Sequence, residues 1–235
     1  MNFLKGQILA FDKPYGWTSF QMVAKIRRLL TLRMDGLKVK VGHAGTLDPL
    51  ATGVMLVCTG RATKQIETLQ AGEKEYIATL RLGATTPSFD LEHSIDALYP
   101  ADHISEDDVR RVLSQFEGDI EQVPPTFSAC KIQGKRAYDL ARKGKDVDLK
   151  AKTIHIDRIE LLECSLPILK IRVACSKGTY IRALARDLGE ALGSGAHLTA
   201  LQRTRVGQYT LDRCFQLSQF ESWLQEQPVE TTLDD

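Results

Sequence analysis

Apolar positions recur along the chain with two spacings, about 3.6 residues in some stretches and 2 in others, which predicts interleaved helices and strands. GQILAFDKP, residues 6–14, reads as a short strand stopped by Pro14. Thr18 or Ser19 can cap the helix that follows, with Phe20, Val23, Ala24, Ile26, Leu29 and Leu30 as its apolar set. GHAGTLDPLATG, residues 42–53, is punctuated by glycine and predicts a loop. VMLVCTG is a continuous apolar run of buried-strand length, and a short helix follows it. In KEYIATLRLG, Tyr76, Ala78, Leu80 and Leu82 share one strand face, while Ile77, Thr79 and Arg81 take the other. Ser105 with Asp108 forms a capping-box pattern for a helix through Phe116.

The next stretch breaks the pattern. VPPTFSACKIQGKRAYDLARKGKDVDLKAK is interrupted by proline, strongly basic, and helical only from Lys135 to Lys143, with Gly144 as its C-cap. It predicts an excursion from the core. IHIDRIELLEC and PILKIRVACS then read as strands, and SKGTYIRALARDLGEALG as a helix opening at Gly178 or Thr179 and closing at Gly193. A strand-like run to Thr210 and a short acidic helix, Ser218 to Gln225, complete the chain. Irregular spacing between strands favours an α+β fold with a mixed, mainly antiparallel central sheet flanked by helices.

Composition narrows the class. The 235 residues are 43% hydrophobic and 26% charged, in the range of an ordinary globular protein. No run approaches the ~18 apolar residues of a spanning helix, and the first residues lack a cleavable signal pattern, so a soluble cytoplasmic protein is expected. The five cysteines are scattered, with no C-x-x-C, which suits reduced thiols buried as small apolar groups. The five histidines show no ligand spacing, so no metal is expected, and the lack of a G-x-G-x-x-G or P-loop leaves no support for a nucleotide cofactor.

The net charge of +1 conceals segregation. Gln21 to Lys40 holds six basic residues and one acid; Lys131 to Lys152 holds eight against three; Lys170 to Arg186 holds five and no acid. Thr86 to Glu121 carries ten acids against Arg110 and Arg111. Such blocks can present a basic face to a polyanion, and they are equally what solvated helix faces look like.

Three segments could carry chemistry. In GHAGTLDPLATG, His43, Thr46 and Asp48 lie within six residues, Pro49 stiffens the turn, and three glycines permit close approach of a ligand or unusual dihedrals. A carboxylate held there can serve as nucleophile or base, and an Asp-Pro can equally be only a turn. In CSKGTYIR, Lys177 and Gly178 precede a helix N-terminus suited to a phosphate, and Arg182 in the first turn can pair with a carboxylate or simply face solvent. Tyr76, on a buried strand face, can stack on a base or fill the core.

Taken together, GHAGTLDPLATG, KEYIATLRLG, IQGKRAYDLARKG and CSKGTYIRALARDLG occur in the order and rough spacing of TruB-type tRNA pseudouridine synthases, and KPYGWTS and GSGAHLTALQRTRVG match the same family. The resemblance covers the chain from Gly6 to about residue 220. It implies the pseudouridine synthase fold and isomerisation of uridine 55 in the T arm of tRNA, with no cofactor, no obligate protein partner and a monomeric enzyme. Carried over by motif, Asp48 resembles the catalytic aspartate, Tyr76 the tyrosine stacked on the target base, and Arg182 the arginine paired with the aspartate. Tyr180 and Leu201 would line the pocket, His43 would hold the flipped nucleotide, and Lys177 would meet the substrate. The basic excursion, about 124–152, corresponds to an inserted thumb that closes on RNA, with Lys131, Lys135, Arg136 and Lys143 as contacts.

The resemblance implies a catalytic domain over 1–216 and a short acidic helix and tail over 217–235, with most of the family's C-terminal RNA-binding extension absent. PSFDLEHS replaces the family's acid-rich run ending in glycine, so no supporting role is assigned to Asp90. A non-catalytic RNA-binding module is the rival reading. A glycoside hydrolase ranks last, because the loop offers one carboxylate where that chemistry needs two.

Overall fold

A computed structural model describes residues 1–128 and 149–232, together with the backbone of residues 131, 132, 135 and 136. In chain order the strands are β1 (Ile8–Lys13), β2 (Val41–Ala44), β3 (Ala51–Thr59), β4 (Lys74–Leu82), β5 (Ala84–Thr85), β6 (Ala97–Leu98), β7 (Gly118–Gln122), β8 (Lys131–Ile132), β9 (Lys135–Arg136), β10 (Lys152–Ser165), β11 (Ile168–Cys175), β12 (Ala196–Val206), β13 (Tyr209–Thr210) and β14 (Phe215–Gln216). The α-helices are α1 (Ser19–Arg33), α2 (Ile66–Ala71), α3 (Glu106–Ser114), α4 (Ile181–Ala191) and α5 (Leu217–Glu226). Ten strands form a mixed, mainly antiparallel sheet with helices against it, as the α+β pattern predicts, while β5–β6 and β8–β9 pair apart from it. The chain divides into two compact units, Met1–Tyr76 with Gln202–Asp235, and Ile77–Leu201.

In the first unit, β3 pairs antiparallel with β1 and with β2, while β14 joins β1 in parallel. The apolar run in β3 is buried throughout because both faces are covered. Ala10, Ala44, Val54, Leu56 and Val206 form one cluster, closed over by Ile66 and Leu69 of α2. Phe11 meets Phe220 of α5 edge-on at 4.9 Å, and Phe215 lies 4.7 Å from Trp223, so the amphipathic last helix is anchored by aromatic contacts. Thr18 caps α1 in a full capping box with Gln21. Its buried face is Met22, Val23, Ile26, Leu29 and Leu30. Phe20 and Ala24, expected on that face, are instead exposed, Phe20 by 74%. Position 20 lies about 100° of helical turn before Gln21, on the solvent side of the Met22–Ile26 stripe.

In the second unit, β10 and β11 form a long antiparallel hairpin, with β7 on the other edge of β10. Ser105 caps α3 with Asp108 as expected, and the helix ends at Ser114, short of Phe116. α4 begins at Ile181 with Tyr180 as N-cap, three residues after Gly178 and two after Thr179, the expected openings. Gly189 lets the helix meet the chain at Ala196, whose nitrogen a Cβ would approach to 2.5 Å. In the basic excursion, Lys131 pairs with Arg136 and Ile132 with Lys135. Lys135 and Arg136 therefore begin in a strand and not in the expected helix. Lys143 and Cys130 lie outside the described residues.

Candidate active site

Asp48 sits in the turn between β2 and β3, where its carbonyl accepts from the Ala51 amide at 3.1 Å. Glycine, proline and a short hydroxyl side chain make this turn; what fixes it is a set of buried donors aimed at its main-chain carbonyls. Ser19, at the start of α1, donates its hydroxyl to the Leu47 carbonyl and accepts from the Leu47 amide, both at 3.0 Å. Lys13, fully buried at the end of β1, donates to the carbonyls of Pro14 at 3.0 Å, Trp17 at 2.6 Å and Pro49 at 3.2 Å. Arg203 of β12, 2% exposed, donates Nε to the Val54 carbonyl at 2.7 Å and its two terminal nitrogens to Thr46 at 3.5 Å and Gly45 at 3.2 Å. Buried cations are tolerated only when their donors are satisfied, and here loop carbonyls satisfy them.

Gly53, the last residue of the motif, adopts φ +102, and a Cβ there would stand 2.2 Å from the Arg203 carbonyl oxygen. The close approach that this glycine permits is thus of the protein's own strand. Gly45 takes φ +98, another left-handed position.

Electrostatics follow from burial. Desolvation pushes the Lys13 ammonium down to about 8; the Asp48 carboxylate pulls it back up, Arg203 adds to the lowering, and Asp12 opposes it. Desolvation also lowers His43 on β2, against a backbone hydrogen bond at Gly45 and with Arg203 lowering it further, so its imidazole is neutral at pH 7. His43 Nδ1 is buried without a hydrogen-bond partner. Tyr76 is 8% exposed on the inward face of β4, as the alternation predicts.

In the second unit, Arg182 is 4% exposed, which excludes a surface cation. It donates to the carbonyls of Ser88 at 3.1 Å and Phe127 at 2.8 Å, with its Nε 3.8 Å from the Asp90 carboxylate. Asp90, to which sequence assigns no supporting role, is itself 6% exposed and accepts from the Glu92 amide at 3.0 Å. Phe89 before it takes φ +61, the left-handed turn that a glycine often supplies. Gln122, 1% exposed, clamps the N-cap of α4: its amide donates to the Tyr180 carbonyl at 3.2 Å and accepts from the Tyr180 nitrogen at 2.9 Å. Tyr180 and Leu201 are half-buried, and Lys177 is exposed ahead of the helix.

Residues 27–181 match the family model described as "TruB family pseudouridylate synthase (N terminal domain)", and residues 182–235 the model "tRNA pseudouridylate synthase B C-terminal domain". The chain belongs to the TruB family of pseudouridylate synthases. Its relatives include the tRNA pseudouridine synthase B of Phocaeicola vulgatus, 64% identical over all of both chains. That of Bacteroides fragilis is 63% identical over 98% of this chain and 99% of the relative, and that of Flavobacterium johnsoniae 48% identical over 95% and 98%. Among solved structures, a Cbf5-Nop10-Gar1 complex contains a chain with TM-score 0.72 and 33% identity over 94% of this TruB chain, which spans 55% of that one. A structure of an H/ACA ribonucleoprotein bound to a substrate RNA aligns with TM-score 0.69 and 29% identity, over 94% of this chain and 54% of its match.

Within the first unit the TruB chain thus holds Asp48, His43 and Tyr76; within the second it holds Arg182, Tyr180, Lys177 and Leu201. Sequence reasoning missed Lys13, Ser19, Arg203 and Gln122. Lys13 had two signals, a charge at the end of a mostly apolar strand just before proline and the first place in KPYGWTS. Nothing in QRTRVG separates buried Arg203 from half-buried Arg205, which instead pairs with Glu73.

Proposed function

We propose that this TruB-family protein converts uridine to pseudouridine in tRNA, at position 55 of the T arm, in the cytoplasm. The observation that carries the reading is the Asp48 turn, a carboxylate-bearing loop whose backbone is locked by Lys13, Ser19 and Arg203. The target base leaves the stack at a cost of a few kcal/mol, because its glycosidic bond is unreachable inside the folded loop. Stacking on Tyr76 and phosphate contacts from the basic excursion, including Lys131, Lys135, Arg136 and Lys143, offset that cost. Tyr180 and Leu201 line the pocket, neutral His43 meets the flipped nucleotide, and Lys177 meets a phosphate.

Asp48 acts on the nucleotide, and Arg182 supplies positive charge to the same reaction. The C1′–N1 bond breaks, the uracil turns, and C1′ bonds to C5. The C5 proton leaves with help from Tyr76 while N1 gains one, so the product is an isomer of the substrate. The test is tritium release from a tRNA transcript labelled at uridine C5, with wild type and Asp48→Asn compared. One equivalent released by wild type alone, and none when uridine 55 is replaced by cytidine, is the expected result. Tight binding without release by the wild type would reduce the protein to an RNA-binding module.

A further inference from the structure

The basic block at Gln21–Lys40 has no part in the site just described. Part of it lies on the outward face of α1. Trp17, Gln21, Lys25 and Arg28 follow one another at spacings of four and three residues, as do Trp17, Phe20 and Ala24, and together they line a cleft of ≈ 430 Å³. The cleft runs along about 16 Å of helix. Phe20 and, five residues earlier, Tyr15 are 74% and 60% exposed, unusual for large aromatic rings.

The charge on this face has one sign: α1 contains Lys25, Arg27, Arg28 and Arg33 and no acid. Lys25 approaches Glu221 at 3.6 Å, a solvent-exposed pair of little strength. Arg28 has no hydrogen bond or ion pair among the described residues. The face adjoins the Asp48 turn directly, since the Gly16 amide donates to the Pro49 carbonyl at 2.9 Å and Lys13 binds the Trp17 carbonyl at 2.6 Å.

We infer that this face of α1 is a second RNA contact, on which the substrate chain beyond the target loop stacks a base against Phe20 or Trp17 and sets phosphates against Lys25 and Arg28. Exposed rings interleaved with cations that are weakly paired, as Lys25 is, or carry no partner among the described residues, as Arg28 does, fit a polyanion that carries flat apolar bases; an apolar protein surface would leave the cations unmatched. The inference rests on the tRNA reading above.

Filter binding of a full-length tRNA transcript across a salt series tests it, with wild type, Lys25→Gln/Arg28→Gln and Phe20→Ala. Losing two single-strand phosphate contacts lowers the salt slope by about 1.4, which is about 25-fold weaker binding at ~0.1 M salt. Phe20→Ala weakens binding about fivefold or more with the slope unchanged. Turnover at saturating tRNA stays at the wild-type level in both. A double variant with wild-type affinity and slope overturns the inference. Tritium release by the wild type is measured beside it: release with unchanged variant binding overturns only the second contact, whereas no release overturns the catalytic reading and leaves the slopes to decide the surface.

Discussion

Lys13→Met isolates what a buried ammonium does beneath the Asp48 turn. Methionine fills nearly the same volume and removes three N–H···O bonds, to Pro14, Trp17 and Pro49. The Pro49 carbonyl keeps the Gly16 amide at 2.9 Å, so the heaviest loss falls on Trp17. A charged hydrogen bond is worth about 1.5–3 kcal/mol, and removing the cost of burying the charge offsets part of that. The distinguishing signature is pH. Lys13 has its folded pKa near 8, below the unfolded value of 10.5, so between those limits the unfolded chain binds more protons. Its contribution to stability is therefore full above 10.5 and lost as pH falls through 8. From about pH 7 to 9.5, linkage gives the wild type a gain of about 2 kcal/mol that the methionine variant lacks. With a urea slope of roughly 2 kcal/mol/M, the gap between the two midpoints widens by roughly 1 M over that range. Paired urea titrations at the two pH values are the assay. A gap that stays constant would refute the depressed lysine and the picture of a desolvated cation under the loop.

Two further substitutions probe the framework. Gly53→Ala must relieve both φ +102 and a Cβ 2.2 Å from the Arg203 carbonyl, so we expect a loss of at least about 3 kcal/mol or insoluble protein, read by urea midpoint and soluble yield. Asp90→Asn keeps the shape beside Arg182 but removes the charge 3.8 Å from its Nε; turnover is expected to fall about tenfold, or about 1.4 kcal/mol, with tRNA affinity unchanged, and equal turnover would show that the Ser88 and Phe127 carbonyls suffice to position the arginine.

The Asp48 turn was legible because its signals are local. Three glycines and an Asp-Pro sit within twelve residues ahead of an apolar run, and β4 announced itself by strict alternation through Leu82. Residues that hold the turn were not legible, since their partners are far along the chain: Arg203 reaches Val54 across 149 positions and Lys13 reaches Pro49 across 36. A periodicity argument also treats any lysine or arginine as solvated, and so it cannot foresee a buried cation held by main-chain carbonyls. Asp90 shows the opposite failure. A missing glycine argued against a supporting role, yet Phe89 adopts the left-handed turn itself and delivers the carboxylate beside Arg182.

Lys13 and Arg203 share one design. Each is 2% exposed or less, and each donates to three main-chain carbonyls. A carbonyl neutralises none of the charge it accepts from, so hydrogen bonding fixes each cation in place while its field persists into the surroundings. Lys13 makes this visible, because its Nζ hydrogens are committed to Pro14, Trp17 and Pro49 and yet Asp48 still raises its pKa through charge alone. In the reaction proposed above, positive potential held rigid by the backbone would need no reorganisation, which is the form of electrostatic assistance that costs least. It also explains why glycine is required at position 53: the strand carrying Arg203 must lie against the motif for its guanidinium to reach Gly45, Thr46 and Val54 together.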